Sequence, residues 1–330
     1  MEISLARLNF LSMQAKGFTD QSDFQASEPP VQQTVAFDTS SSLFWVHCDN
    51  PVGGDGEYSL DPPYNSAEST IFSNLADCHE YCNHATQCFC DQKSCEYYLQ
   101  YGTGFSREIL ASDRFIFKSS HNKGSLINDV VFGCSHEAET TANNYNGLLE
   151  LGTAKHSILS QLGSGEFSYC IGKLDDSSYD KNILIVGKNL ATGGDSTPFQ
   201  IDGFKYYADL EGISFGGKML NIDKEQLKIS YHKGGAAFDS DASFSALQPM
   251  AYWKLHKEIV DLVGDSLERA DYHGTYVTKL CHKGNLYIDS IGVPTATLHF
   301  ANDSTMELDY ENIFQQYSGK FDLIPSKLNP

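Results

Sequence analysis

Basic residues are scarce in this chain: 23 lysines and arginines stand against 43 aspartates and glutamates, a formal charge of −20. Such a chain repels phosphate backbones and anionic lipid alike, so neither nucleic acid nor a membrane surface is an expected partner. Long apolar runs are missing too. No stretch approaches the roughly 18 residues that suggest a membrane span, and the opening Met1-Glu2-Ile3-Ser4-Leu5-Ala6-Arg7 has no apolar signal-peptide core. The 11 histidines include no His-Glu-x-x-His, Gly187-Lys188 runs into Asn189 and makes no phosphate loop, and the cysteines form no Cys-x-x-Cys pair. Zinc-peptidase, nucleotide-binding and zinc-finger chemistry therefore find no support, and neither a metal nor an organic cofactor is expected.

What is present fits two mostly β domains. The 330 residues exceed the size at which a single core usually stops growing, 41% are hydrophobic and 12% aromatic, and 27 glycines punctuate short apolar runs. Helices are expected only at Lys254–Val263, with an apolar face of Leu255, Ile259, Leu262 and Val263, and as a shorter turn at Ile158–Leu162. Leu5, Leu8 and Leu11 are spaced to suit a helix edge in the first 20 residues. The turn-forming stretch Ala191–Pro198 is the best linker candidate.

The chain reads Ala36-Phe37-Asp38-Thr39-Ser40-Ser41 and, about two hundred residues further on, Ala237-Phe238-Asp239-Ser240-Asp241-Ala242. Each copy ends an apolar run on an aspartate followed by a hydroxyl residue, so each half offers one carboxylate. Two carboxylates held about 3 Å apart cannot both ionise and share one proton. One can then take a proton from water while the other donates to a substrate carbonyl. The competing signature Gly212-Ile213-Ser214-Phe215-Gly216 has the glycine–serine–glycine spacing of a nucleophile elbow, which needs a strand, a sharp turn and then a helix. Gly216-Gly217 before Lys218-Met219-Leu220 reads instead as a hairpin.

Five of the nine cysteines, Cys78, Cys82, Cys88, Cys90 and Cys95, crowd one stretch and read as a stapled loop. His79 and His84 inside it offer a zinc alternative, but disulfides are the expected use. Cys134 and Cys170 bracket the end of the first half and are a candidate pair, Cys48 is a candidate to join the five, and Cys281 is left without an obvious mate.

Several longer motifs occur in one order: Asp38-Thr39-Ser40-Ser41 with Trp45, Tyr101-Gly102-Thr103-Gly104, Val131-Phe132-Gly133-Cys134, Gly147-Leu148-Leu149-Glu150-Leu151-Gly152, Phe167-Ser168-Tyr169-Cys170 and Leu210–Gly217. Together they resemble the plant pepsin-like aspartic proteases of the nepenthesin-like branch, over roughly residues 22 to 315. The resemblance implies a bilobal pepsin-like β fold, a cysteine-rich insert in the first lobe, and Asp38 and Asp239 as the catalytic pair. It also implies a flap carrying Tyr101, Gly102, Thr103 and Gly104, with Trp45 meeting the tyrosine and Ser41 supporting the first aspartate. Peptide or protein is then the substrate, the chain a monomer, and the compartment extracellular or vacuolar.

The chain departs from the family pattern at three glycine positions, which hold Ser40, Asp241 and Glu150. Glycine admits close approach and unusual backbone angles, so each change crowds the site. Asp241 adds a third carboxylate, and Ala242 replaces a hydroxyl expected to support Asp239. The C-terminal segment supplies no second counterpart of Gly147–Glu150, so the second lobe reads as incomplete. The expected organisation is a leader or pro-segment remnant over residues 1–21, a first lobe over 22–195 and a truncated second lobe over 196–330. These departures keep a second function open: a catalytically impaired, pepsin-fold binding protein resembling the plant inhibitors of glycosidases, or a fragment.

Overall fold

The computed structural model describes residues 2–4, 10–15, 31–48, 62–76, 79–82, 90–91, 94–101, 104–118, 124–139, 146–170, 183–187, 193–229, 235–240, 246–263, 268, 281–285, 292–317, 320–323 and 326–327. The chain divides into two compact units, one of residues 8–190 and one of residues 1–7 with 191–330. Both are built mainly of strands.

In the unit of residues 8–190, the central sheet is organised around Val31–Asp38. This strand pairs antiparallel with Phe10–Ala15 on one side and parallel with Gly147–Glu150 on the other. Gly147–Glu150 in turn pairs antiparallel with Trp45–His47, which runs parallel to Gly124–Glu139. The long strands Phe105–Lys118 and Gly124–Glu139 form an antiparallel ribbon, and Ser94–Gln100 adds to its edge. Successive side chains point to opposite faces, so burial of both faces explains the consecutive apolar residues Val35-Ala36-Phe37, Trp45-Val46 and Leu148-Leu149. Val35, Phe37, Val46 and Leu149 enter one buried cluster with Phe44, Phe115 and Phe132, while Ala36, Trp45 and Leu148 enter another with Leu43, Tyr97 and Leu110. The sheet is covered on both faces.

Two glycines are required by close approach. A Cβ on Gly147 would lie 2.1 Å from the Trp45 carbonyl oxygen, and one on Gly133 would lie 2.5 Å from the Tyr97 ring. Only a residue without a side chain lets these strands meet.

In the second unit, Lys205–Ala208 pairs antiparallel with Ala236–Asp239, which pairs parallel with Glu2–Ser4. A second sheet orders Lys218–Met219, Leu210–Phe215, Ala296–Phe300 and Thr305–Leu308. The Pro249–Val263 helix is longer than its periodicity suggested, since Pro249 at the first position has no N–H to lose and a preset φ. It buries Tyr252, Leu255 and Ile259, spaced three or four apart, together with Ala251, whereas Leu262 is exposed.

The first residues are not helical where they are described. Glu2–Ser4 and Phe10–Ala15 are strands, because each finds a sheet position whose backbone groups need partners. The strand order around the two aspartates is consequently the same. Gly147–Glu150 lies between Val31–Asp38, to which it is parallel, and Trp45–His47, to which it is antiparallel; Glu2–Ser4 lies between Ala236–Asp239, parallel, and Ala246–Leu247, antiparallel. The position beside the strand of Asp239 is taken by Glu2–Ser4.

Cysteine pairing differs from the sequence expectation. Cys134 joins Cys48 rather than Cys170, and Cys82 joins Cys95 within the cysteine-rich stretch. The parallel register of Val46 with Cys134 brings Cys48, at the end of the same short strand, close to it, a proximity that sequence separation conceals. Among the described residues no group of His, Cys, Asp and Glu is arranged to hold a metal. His79 instead stacks on Tyr81, and His84 lies outside the described residues.

Candidate active site

Asp38 ends a buried strand and is itself buried, in parallel register with Glu150. Alternation puts Asp38 on the face of Ala36, and Glu150 on the face of Leu148, so both carboxyls share one side of the sheet with Trp45. The chain then turns sharply. The backbone N–H and hydroxyl of Ser40 donate to Asp38 Oδ1 at 2.7 and 2.9 Å, and the Ser41 hydroxyl donates to Oδ2 at 2.5 Å. Ser40 therefore does more than crowd the loop: its hydroxyl adds a donor that a glycine cannot supply. Leu151 N–H donates to the Asp38 carbonyl at 2.7 Å and ties the neighbouring strand to the same turn.

Tyr101 packs against the Trp45 and Leu148 cluster. Its hydroxyl accepts from Trp45 Nε1 at 2.6 Å and donates to Glu150 Oε1 at 3.3 Å. Burial, followed by the charge of Glu150 and then by Tyr97 and Asp38, holds the phenol well above the ordinary tyrosine range, so Tyr101 stays neutral. Gly104 is buried and its carbonyl accepts from the Tyr101 N–H at 2.8 Å. Gly102 and Thr103 lie outside the described residues. Glu150, expected to crowd a buried site, is fully buried, and its Oε1 accepts from the Tyr101 hydroxyl.

In the second unit Asp239 also ends a buried strand and is followed by the buried Ser240, as Asp38 is followed by the buried Thr39. Lys205, on the adjacent antiparallel strand, places Nζ 3.3 Å from Asp239 Oδ2. The register that sets Tyr206 against Phe238 puts these two residues opposite one another. Sequence reasoning missed Lys205; its only signal is a lone lysine beside Tyr206-Tyr207 in a short strand. Asp241 lies outside the described residues. The glycine–serine–glycine motif sits on Leu210–Phe215 and turns directly into Lys218–Met219. The Ser214 hydroxyl bonds His299 Nε2 across strands at 2.8 Å. No helix follows, so the elbow geometry is absent.

His47, in the strand of Trp45, meets the indole edge-on with ring centroids 5.2 Å apart. Its Nδ1 is buried without a hydrogen-bond partner among the described residues, and burial pushes the imidazole down to about 4. An unfolded chain takes up this proton near pH 6.5 and the folded one only near pH 4, so His47 contributes full stability above the first value and loses it across that window on acidification. The loss amounts to roughly 3 kcal/mol. His47→Gln is expected to flatten the fall in urea-unfolding free energy between those pH values; an unchanged slope would remove His47 as its source.

Residues 22–188 match the family described as xylanase inhibitor N-terminal, and residues 205–321 the one described as xylanase inhibitor C-terminal. The chain is 27% identical to aspartyl protease AED1 of Arabidopsis thaliana, over 86% of its own length and 59% of that protein. It is likewise 27% identical to aspartic proteinase nepenthesin-2 of Nepenthes gracilis, over 71% of its own length and 54% of that protein. The chain thus spans a little more than half of these curated relatives. Among solved structures, basic 7S globulin from soybean superposes with a TM-score of 0.67 at 16% identity, covering 98% of this chain and 89% of that one. Conglutin gamma from lupine seeds gives 0.64 at 18%, covering 97% and 87%. These two likenesses bear on the fold alone. On the family matches to its two halves, the chain belongs to the pepsin-like aspartic protease family, in the plant branch that includes the nepenthesins.

Proposed function

We propose that the chain is an aspartic endopeptidase in which Asp38 and Asp239 supply the two reacting carboxylates. One carboxylate takes a proton from water as its oxygen attacks the scissile carbonyl, and the other donates a proton to the carbonyl oxygen. As the C–N bond breaks, the first carboxyl passes the proton taken from water to the leaving nitrogen and the second takes its proton back from the carbonyl oxygen. Tyr101 with Gly102, Thr103 and Gly104 covers an extended peptide, Ser41 orients Asp38, and Trp45 supports Tyr101. The observation that carries this reading is the seating of Asp38: a buried carboxylate at a strand end, held by Ser40 and Ser41, beside a Trp45–Tyr101 hydrogen bond. Denatured haemoglobin should be cleaved between about pH 2 and 6 and protected by pepstatin. Intact substrate across that range would reject the reading.

A second reading, a non-cleaving binding protein of the same fold, is favoured by the Lys205 ion pair on Asp239 and by Glu150 beside Asp38. Saturable peptide binding without cleavage would select it. For either reading we propose a monomer acting outside the cytosol, extracellular or vacuolar, where the Cys48–Cys134 and Cys82–Cys95 disulfides persist. No described helix is long and apolar enough to cross a membrane.

A further inference from the structure

We propose that Glu150 is a positioning residue that latches Tyr101, holding its hydroxyl proton away from the substrate until an incoming peptide competes for it. The inference rests on the reading of Tyr101 as the residue that covers substrate.

The hydrogen bonds of one phenol fix where its proton lies. A tyrosine hydroxyl has one proton to give, and an indole N–H can only donate. Because Trp45 Nε1 donates to the Tyr101 oxygen at 2.6 Å, the Tyr101 proton must point elsewhere, and Glu150 Oε1 receives it at 3.3 Å. Glu150 is held in place by its strand: Gly147–Glu150 is clamped between Val31–Asp38 and Trp45–His47, and Glu150 has no exposed surface. A fully buried carboxyl does not swing away without moving the sheet.

Two consequences follow. A carboxyl acceptor polarises the phenol O–H and makes its oxygen a better acceptor, so the Trp45 bond is strengthened through Tyr101. A substrate carbonyl that needs the phenol proton must first draw it away from Glu150, which weakens binding.

The test uses the full chain. It holds only two tryptophans, Trp45 and Trp253, so its indole N–H resonances are assigned with one variant, Trp253→Phe. Glu150→Gln keeps the shape and replaces the carboxyl by an amide; Glu150→Ala removes the acceptor. In both, the Trp45 indole N–H is expected to move upfield as its bond weakens. KM for an oligopeptide should fall about tenfold in Glu150→Ala, the size of one hydrogen bond. If Glu150→Ala folds poorly, the Gln variant carries the resonance measurement alone. An unmoved Trp45 resonance in the folded variants overturns the latch. A moved resonance with no cleavage and no pepstatin binding by any form upholds the latch on Tyr101 and rejects the endopeptidase reading instead.

Discussion

Asp38→Asn is expected to abolish peptide cleavage, lowering kcat/KM at least about a thousandfold, while leaving the fold intact. The amide oxygen still accepts from the Ser40 N–H and hydroxyl, and the Ser41 hydroxyl can rotate to accept from the new NH2 group. Loss of stability should therefore stay within about 1 kcal/mol by urea unfolding. Asp239→Asn should be equally inactive, since a reaction that passes one proton between two acids fails when either is replaced. Its stability effect has a different origin, because the variant gives up the charge facing Lys205. Equal loss of activity in the two variants supports the two-carboxylate mechanism. Retained cleavage in either one would sink the two-carboxylate mechanism, whichever residue proved dispensable.

Removing the Cys48–Cys134 disulfide should be the most destabilising change outside the reacting residues. The bond closes a loop with a sequence separation of 86, for which the chain-entropy relation gives about 4–5 kcal/mol. That is a large share of the roughly 5–15 kcal/mol that separates most folded domains from their unfolded chains. Both cysteines are fully buried in the cluster that holds Phe44 and Phe132, so the paired Cys48→Ala and Cys134→Ala changes also leave unfilled space. A urea midpoint for the double variant within about 1 kcal/mol of wild type would show that the strands hold this edge without the bond. The shorter Cys82–Cys95 loop, with a separation of 13, should matter less, at about 3 kcal/mol.

Much of the site is legible in the residues because its determinants are local. Ala36-Phe37-Asp38 and Ala237-Phe238-Asp239 are apolar runs that must be buried strands, and an aspartate with hydroxyl residues just beyond such a strand end has its partners within three residues. Glycines 133 and 147 mark places where a ring or a carbonyl comes too close for a side chain. The Pro249–Val263 helix is visible in its spacing, but Leu262, which that spacing puts on the apolar face, is exposed because the core ends before the last turn.

Pairings between distant segments are not legible in that way. Closing a longer loop costs little more than closing a shorter one, so spacing could not favour Cys134 with Cys48 over Cys170. The same indifference hides the Tyr101–Glu150 bond, 49 residues apart, and the Lys205–Asp239 ion pair, 34 apart. It also hides the pairing of Glu2–Ser4 with the strand of Asp239. By itself the sequence determined the β class, the two aspartates and the hydroxyls beside the first, since strand alternation and short turns act over a few residues. Only the tertiary structure decided what surrounds each carboxyl, because sheet register, not chain distance, chooses which side chains face one another.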